Sequence, residues 1–362
     1  MSVEEAWNSL AATLVAAGDR LARDTEALDP TERADGYRSL LRALNHQLGR
    51  FEVDREHPEL VESNGWREKF FMDNPDVRYW VADVRDDRRY RIVGDMGDAV
   101  YASVTAYRAS GAEVTAQARI DSDEWSVDPT GAFELTLSAE PPEQGDWLPL
   151  PPGTRAVWVR LFHDDVRHDR PGACRIEPLD PTRESAPVDP EQLGRHLDRL
   201  AATMDLVPAV MHAATAEDLR RPNELRHWNE MQGGAAYTEP GIHYVRGAWQ
   251  LEPGEALVIQ GDAVPSRFWN VLLYSRFLNS LDHRTRQVSR TGATARVVEG
   301  RYRFVLAARD PRADGDWLDT EGRRCGLVVM RWLHPETTPE LPRVRRCRID
   351  ELDAEPDTGS PA

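Results

Sequence analysis

Lysine is nearly missing from this sequence: Lys69 is the only one among 45 cationic side chains in 362 residues. Any anion site must therefore be built from arginine, whose planar guanidinium pairs with a carboxylate or phosphate through two parallel hydrogen bonds. Cysteine is scarce as well. Cys174, Cys325 and Cys347 are odd in number and lack metal-ligand spacing, which reads as thiols held in a reducing compartment. No window approaches eighteen apolar residues, so no membrane-spanning helix is expected. The opening MSVEEAWNSL has neither a basic patch nor an apolar run; no secretory signal is expected, and the expected location is the cytoplasm. Cations are also outnumbered, with a formal net charge of −17. A surface of that sign repels nucleic acid and anionic membrane, which argues against either as the main partner.

Several motifs are missing too. No Gly-rich phosphate loop opens a helix, no Gly-x-Ser-x-Gly elbow occurs and no CxxC pair exists. These absences weigh against nucleotide hydrolysis, serine-hydrolase chemistry and a zinc ribbon, and no cofactor is expected. His163-Asp164-Asp165 with His168-Asp169 offers zinc- or iron-type ligands. It sits in a loop with Arg167 and Arg170, and such charge runs are usually solvated faces, so no metal is expected.

What is present is repetition. Gly131–Phe162 and Gly300–Leu333 both open on Gly and an aromatic strand (Phe133, Tyr302). Both continue through an acidic, Pro-containing loop to Gly-Asp-Trp and Leu (Gly145–Leu148, Gly315–Leu318). A turn glycine follows (Gly153, Gly322), then an apolar strand ending in Arg160-Leu161 or Arg331-Trp332. Upstream, Val100-Tyr101 to Tyr107 aligns with Phe268-Trp269 to Tyr274. Matching spacing over such a length points to duplication of one unit.

Around the repeat, the chain reads helices, strands, helices, strands. Val3, Trp7, Leu10, Leu14 and Leu21 step at helical intervals, and Asp29-Pro30-Thr31 starts a second helix lined by Tyr37, Leu40, Leu41, Leu44 and Leu48. Short strand patterns separated by turn signals run from Tyr79 to Phe162, as in an antiparallel sandwich. Pro181–Pro190 reads as a linker. Leu193, Leu197, Leu200 and Met204 predict a helix, Val207–Ala214 a further one, and strands resume at Ile242. The expected fold class is α+β: two duplicated antiparallel β-sandwich lobes, each preceded by helices. Expected boundaries are a helical segment at 1–63, a first lobe at 64–180, a linker at 181–190, helices at 191–240, a second lobe at 241–352 and a frayed tail at 353–362.

Glu255–Ile259, Phe268-Trp269-Asn270-Val271, Asn279–Asp282, Asp310-Pro311, Asp316–Thr320 with Gly322, and Arg331-Trp332 resemble the domain of unknown function 1214, often paired with domain of unknown function 1254. Asp73–Asp76, Tyr90-Arg91-Ile92 and Gly94 extend the likeness into the first half. It covers most of 30–350 and is densest over 255–333. The resemblance implies jelly-roll-like sandwich lobes with accompanying helices, and it implies no settled activity. The chain departs from the family at Asp316, where Asn is usual, and at His283, where tyrosine is commoner.

Candidate site residues come from the second copy. Asp319 and Asp310 are candidate paired carboxylates for acid–base work. Trp269 and Trp317 would stack a small organic or carbohydrate-like ligand, and Asn270, Asp319 and Arg331 would orient it. The competing reading has Asp319-Thr320 capping a turn while Trp317 plugs the sandwich end. The first copy keeps Asp146-Trp147 but has Pro149-Leu150 where the second has Asp319-Thr320, so the tryptophan reads as structural and Asp319 as the distinctive residue. Arg160 and Arg331 are expected to pair with Asp146 and Asp316 inside their lobes. Two functions stay open: a cofactor-independent hydrolase or lyase acting on a small molecule, or a non-catalytic interaction or assembly protein whose sandwich faces join copies of the chain.

Overall fold

A computed structural model describes residues 2–51, 54–110, 113–184, 187–228 and 238–352. The chain divides into two compact units: the first runs to His212 and takes in Thr238, and the second comprises the rest from Ala213 on.

The first unit begins with two helices whose ends are written locally. In α1 (Val3–Asp24), the Ser2 hydroxyl accepts from the Glu5 backbone while the Glu5 carboxylate accepts from the Ser2 backbone. This reciprocal box satisfies donors that the first turn leaves orphaned. In α2 (Pro30–Leu48), the Asp29 carboxylate accepts from the backbones of Thr31 and Glu32, Pro30 fills the first turn and Gly49 ends the helix. The buried stripe of α1 is Ala6, Leu10, Ala17 and Leu21, so Trp7 faces solvent at 62% exposure instead of lining the core.

Nine strands follow: β1 (Val61–Ser63), β2 (Val77–Asp83), β3 (Tyr90–Asp95), β4 (Tyr101–Ser110), β5 (Glu113–Asp121), β6 (Ala132–Ser138), β7 (Trp147–Pro149), β8 (Thr154–Phe162) and β9 (Ala173–Pro178). They form two sheets, ordered β1-β2-β8-β4-β5 and β7-β6-β3-β9. Trp80, Val104, Val157, Val159 and Leu161 from the first meet Ile92, Phe133, Leu135, Leu137 and Ile176 from the second in one core. Alternation along each strand is what gives the two sheets facing apolar sides.

One continuous helix, α3 (Pro190–Arg220), follows. The sequence predicts two helices here, but Leu197, Leu200, Met204, Val207 and Met211 are all buried and keep one helical stripe running past Pro208. That uninterrupted apolar face outweighs the single backbone donor lost at the proline.

The second unit repeats the first strand for strand. Its elements are β10 (Arg226–His227), β11 (Ile242–Gln250), β12 (Glu255–Asp262), β13 (Ser266–Tyr274), β14 (Ser289–Thr291), β15 (Val297–Val298), β16 (Arg301–Ala307), β17 (Asp316–Asp319), β18 (Cys325–Pro335) and β19 (Arg343–Arg348). One sheet is β10-β11-β18-β13-β14; the other is β15-β16-β12-β19, with β17 on β16. Only β15 lacks a counterpart in this ordering. Pairing is antiparallel except for β6 with β7 and β16 with β17, which are parallel in both copies. Neither unit closes into a barrel among the described residues.

Register aligns the copies residue by residue. Tyr79 and Ser103 flank Arg160 as Tyr244 and Asn270 flank Arg331. Phe162 opposes Tyr101 and Leu333 opposes Phe268, so the partner of Tyr101 is Phe268, one residue before the Trp269 that sequence spacing suggests. Gly94 and Gly261 provide a further match. A Cβ on Gly94 would clash with the Phe133 ring, and one on Gly261 with the hydroxyl and ring of Tyr302. An aromatic laid over a strand glycine is thus built into both units.

Candidate functional site

The residues nominated from sequence in the second unit do not share one surface. Trp317 packs beside Ala256, Val258, Val305 and Ala307, and its indole N–H donates to the Ala307 carbonyl at 3.0 Å. Trp147 makes the corresponding bond to Ser138 at 3.2 Å. Both tryptophans therefore tie a short parallel strand to its neighbour. Trp269 points the other way along its strand, against Tyr302 and Phe304 between the two sheets. Asn270 and Arg331 are register partners, so their side chains share the opposite face of that sheet.

Asp319 is 4% exposed. One of its oxygens takes Arg286 at 2.8 Å and the other accepts from the Glu321 backbone at 2.7 Å. Asp310 is exposed and accepts from the Arg312 backbone at 2.8 Å. Each carboxylate caps its own turn. The expected ion pairs are replaced as well. Asp316 takes Arg290 at 2.9 Å and the Arg296 backbone at 2.6 Å, and Asp146 accepts from the Ser126 backbone. Arg331 instead donates to the Tyr274 hydroxyl at 2.7 Å and Arg160 to the Tyr107 hydroxyl at 2.9 Å. Each guanidinium lies over aromatic rings, Tyr244 and Tyr274 in one copy and Tyr107 and Trp158 in the other.

At the other motif the sequence offers for metal, His163 Nδ1 lies 3.5 Å from Asp169, and His168 Nδ1 lies 2.7 Å from Asp165. Among the described residues no group of three or more His, Cys, Asp or Glu side chains is disposed to hold a metal ion.

A concave site does occur in the first unit, as a cavity of about 850 Å³. Its floor is the end of β2 at Asp83 and the start of β8 at Arg155. The last turn of α2 and the chain beyond contribute Gln47, Arg50 and Phe51, then Asp54, Arg55 and Glu56. Opposite stands α3, whose Gln192, Arg195, His196, Arg199 and Thr203 recur at helical steps and so face the same way. The β2–β3 turn closes the rim with Arg85, Asp86 and Asp87. Phe51 and His196 meet edge to face, with ring centroids 5.9 Å apart.

The charges are mostly matched within the lining. Asp83 takes Arg50 at 2.8 Å and Arg55 at 3.4 Å. Arg85 bridges Glu56 and Asp87, each at 2.7 Å, which holds its guanidinium more firmly protonated and keeps the Asp87 carboxyl below the usual range. Asp54 meets His57 at 3.1 Å, and Asp86 accepts from the Gly153 backbone. Burial first, and then the nearby Arg199 and Arg195 guanidinium groups, depress the His196 pKa. Such a site can bind and orient a polar molecule by guanidinium hydrogen bonds, with a neutral imidazole beside it.

Sequence reasoning passed over every one of these lining residues. The Arg195-His196-x-x-Arg199 step on the polar side of a helix was the one signal available, and it resembles an ordinary solvated face.

Comparison with known proteins agrees with the strand-for-strand repeat. The family model described as protein of unknown function (DUF1214) matches twice, over residues 68–165 and 250–337. A crystal structure of an uncharacterised protein from Burkholderia cenocepacia superposes with a TM-score of 0.88 at 28% identity, covering 96% of this chain and 98% of that one. The VPA0106 protein from Vibrio parahaemolyticus is more distant, with a TM-score of 0.49 at 12% identity over 86% of this chain and 97% of its own. No curated protein matches. With the family model covering both repeats and more than half of the residues, the chain belongs to the DUF1214 family.

Proposed function

We propose that this protein binds a small polar molecule in the cavity of its first unit. The observation behind this reading is the cavity itself: about 850 Å³, bounded by α2, α3 and the β2–β3 turn, and lined almost wholly by polar side chains. That volume suits a metabolite-sized ligand. Carboxylate-based hydrolase or lyase chemistry at Asp319 and Asp310 has less support, because both acids serve as turn caps and Asp319 is further held by Arg286. The test is a thermal-shift screen of small polar metabolites, repeated on Thr203→Trp, which would fill the cavity from α3. Ligands that raise the melting temperature of the parent protein should lose that effect in the variant. Hits that are indifferent to Thr203→Trp would place binding elsewhere and overturn the reading.

A second reading is assembly of copies of this chain. Trp7, Val15, Leu41, Leu48 and Leu206 are large apolar residues exposed on the helices of the first unit, which a second copy packed on those helices would take out of water. Light scattering decides it: a monomer mass across the micromolar range removes this alternative.

A further inference from the structure

Resting on the cavity reading above, we propose that the ligand is an aliphatic dicarboxylic acid whose two carboxylates are taken by Arg155 and Arg199. The argument is one of counting partners. Among the described residues five carboxylates line the cavity, and each already has a partner: Arg50 and Arg55 on Asp83, Arg85 on Glu56 and Asp87, His57 on Asp54, and the Gly153 backbone on Asp86. Of the six guanidinium groups, Arg195 reaches acids outside the cavity at 3.6–3.8 Å. Arg155 and Arg199 make no ion pair or side-chain hydrogen bond among the described residues. Two guanidinium groups are therefore left without a partner among the described residues, one on the strand that forms the floor and one on the helix that forms a wall.

Each of these guanidinium groups offers a planar fork that fits one carboxylate. Two of them, on separate elements, select a ligand with two acid groups. Phosphate is the poorer fit, since it gathers its charge in one compact group, whereas the two forks stand on separate elements and each can hold its own carboxylate. A nucleobase or other aromatic ring is disfavoured too. Phe51 is the only benzenoid ring among the described lining residues, and His196 already meets it edge to face. A flexible aliphatic spacer suits walls that present mainly polar side chains and methylene stems.

The experiment is isothermal titration calorimetry of the full chain with succinate, glutarate and adipate, beside butyrate, 1,4-butanediol and inorganic phosphate. Parent, Arg155→Gln, Arg199→Gln and Thr203→Trp proteins are compared, each first shown to keep the parent melting temperature. At least one diacid should bind the parent, about tenfold or more weaker in either glutamine variant, as expected for loss of a charge-assisted pair, and not detectably in Thr203→Trp. Butyrate should bind at least about tenfold more weakly than that diacid. Binding of the diol or phosphate in preference to every diacid, abolished by Thr203→Trp, would overturn the diacid assignment and leave the cavity reading standing. Diacid binding that survives Thr203→Trp would overturn the cavity reading itself. No binding by any diacid would overturn the assignment.

Discussion

Asp319 occupies the strand position that Pro149 fills in the first copy, and a difference between copies is what draws attention to it in the sequence. The structure gives the difference a local cause. The turn after β17 is held by the Asp319 carboxylate, through the Glu321 backbone and Arg286, whereas a proline stiffens the corresponding chain by fixing its own φ. Replacing Asp319 with Ala removes a cap and an ion pair whose cationic partner is half exposed, so the expected cost is roughly 1–2 kcal/mol. Urea unfolding measures it, and unchanged stability would contradict the capping role. His46 provides a second test at this scale. Burial lowers its pKa to about 4, with Arg50 acting in the same direction and the hydrogen bond to the Glu68 carbonyl opposing. A histidine whose folded pKa lies below its unfolded value contributes full stability above about pH 6.5 and loses it as the pH falls toward 4. Between pH 7.5 and 5 the loss attributable to this one group is about 2 kcal/mol. Denaturation midpoints of the parent and His46→Gln proteins should therefore converge as the solution is acidified. A gap that stays constant with pH would contradict the assignment.

At the scale of elements, legibility followed the range of the signal. The starts of α1 and α2 were readable because Ser2, Asp29 and Pro30 act within four residues of where they stand. The strands were readable because alternation and the glycine turns recur in both copies; Gly131, Gly145 and Gly153 take positive φ, as do Gly300, Gly315 and Gly322. The continuity of α3 was not readable, because a proline inside an apolar stripe gives two local rules that disagree, and tertiary burial decides between them. Met204 lies at the centre of that stripe and is almost fully buried. Met204→Ala should cost roughly 2–5 kcal/mol in urea unfolding, and a loss well below that range would mean that the stripe packs more loosely than described. Gly94→Ala and Gly261→Ala should each cost roughly 1–3 kcal/mol, since each added methyl meets an aromatic ring. Neutral substitution at both would contradict the glycine–aromatic pairing as a shared device.

Over the whole molecule, duplication explains the fold but not the site. The register that equates Arg160 with Arg331 also equates Arg155 with Gly326 and Asp83 with Ala248. The second copy therefore has neither of the two charged residues that form the cavity floor in the first. The walls come from residues of 47–51, 54–56 and 192–203, helical and loop segments outside the duplicated strands. No motif joins residues spread over 47–203, and this is why sequence reading turned to the better-marked second copy. The chain carries a net charge of −17, yet in this cavity Arg155 and Arg199 have no acid partner among the described residues. Those two open guanidinium forks are the basis for assigning an anionic ligand. Hydrogen–deuterium exchange of the intact protein, with and without saturating glutarate, tests the central claim most directly. Slower exchange in 47–56, 83–87 and 192–203, with 250–337 unchanged, is the predicted result. Protection centred on 269–331 instead, or none in the first unit, would contradict it.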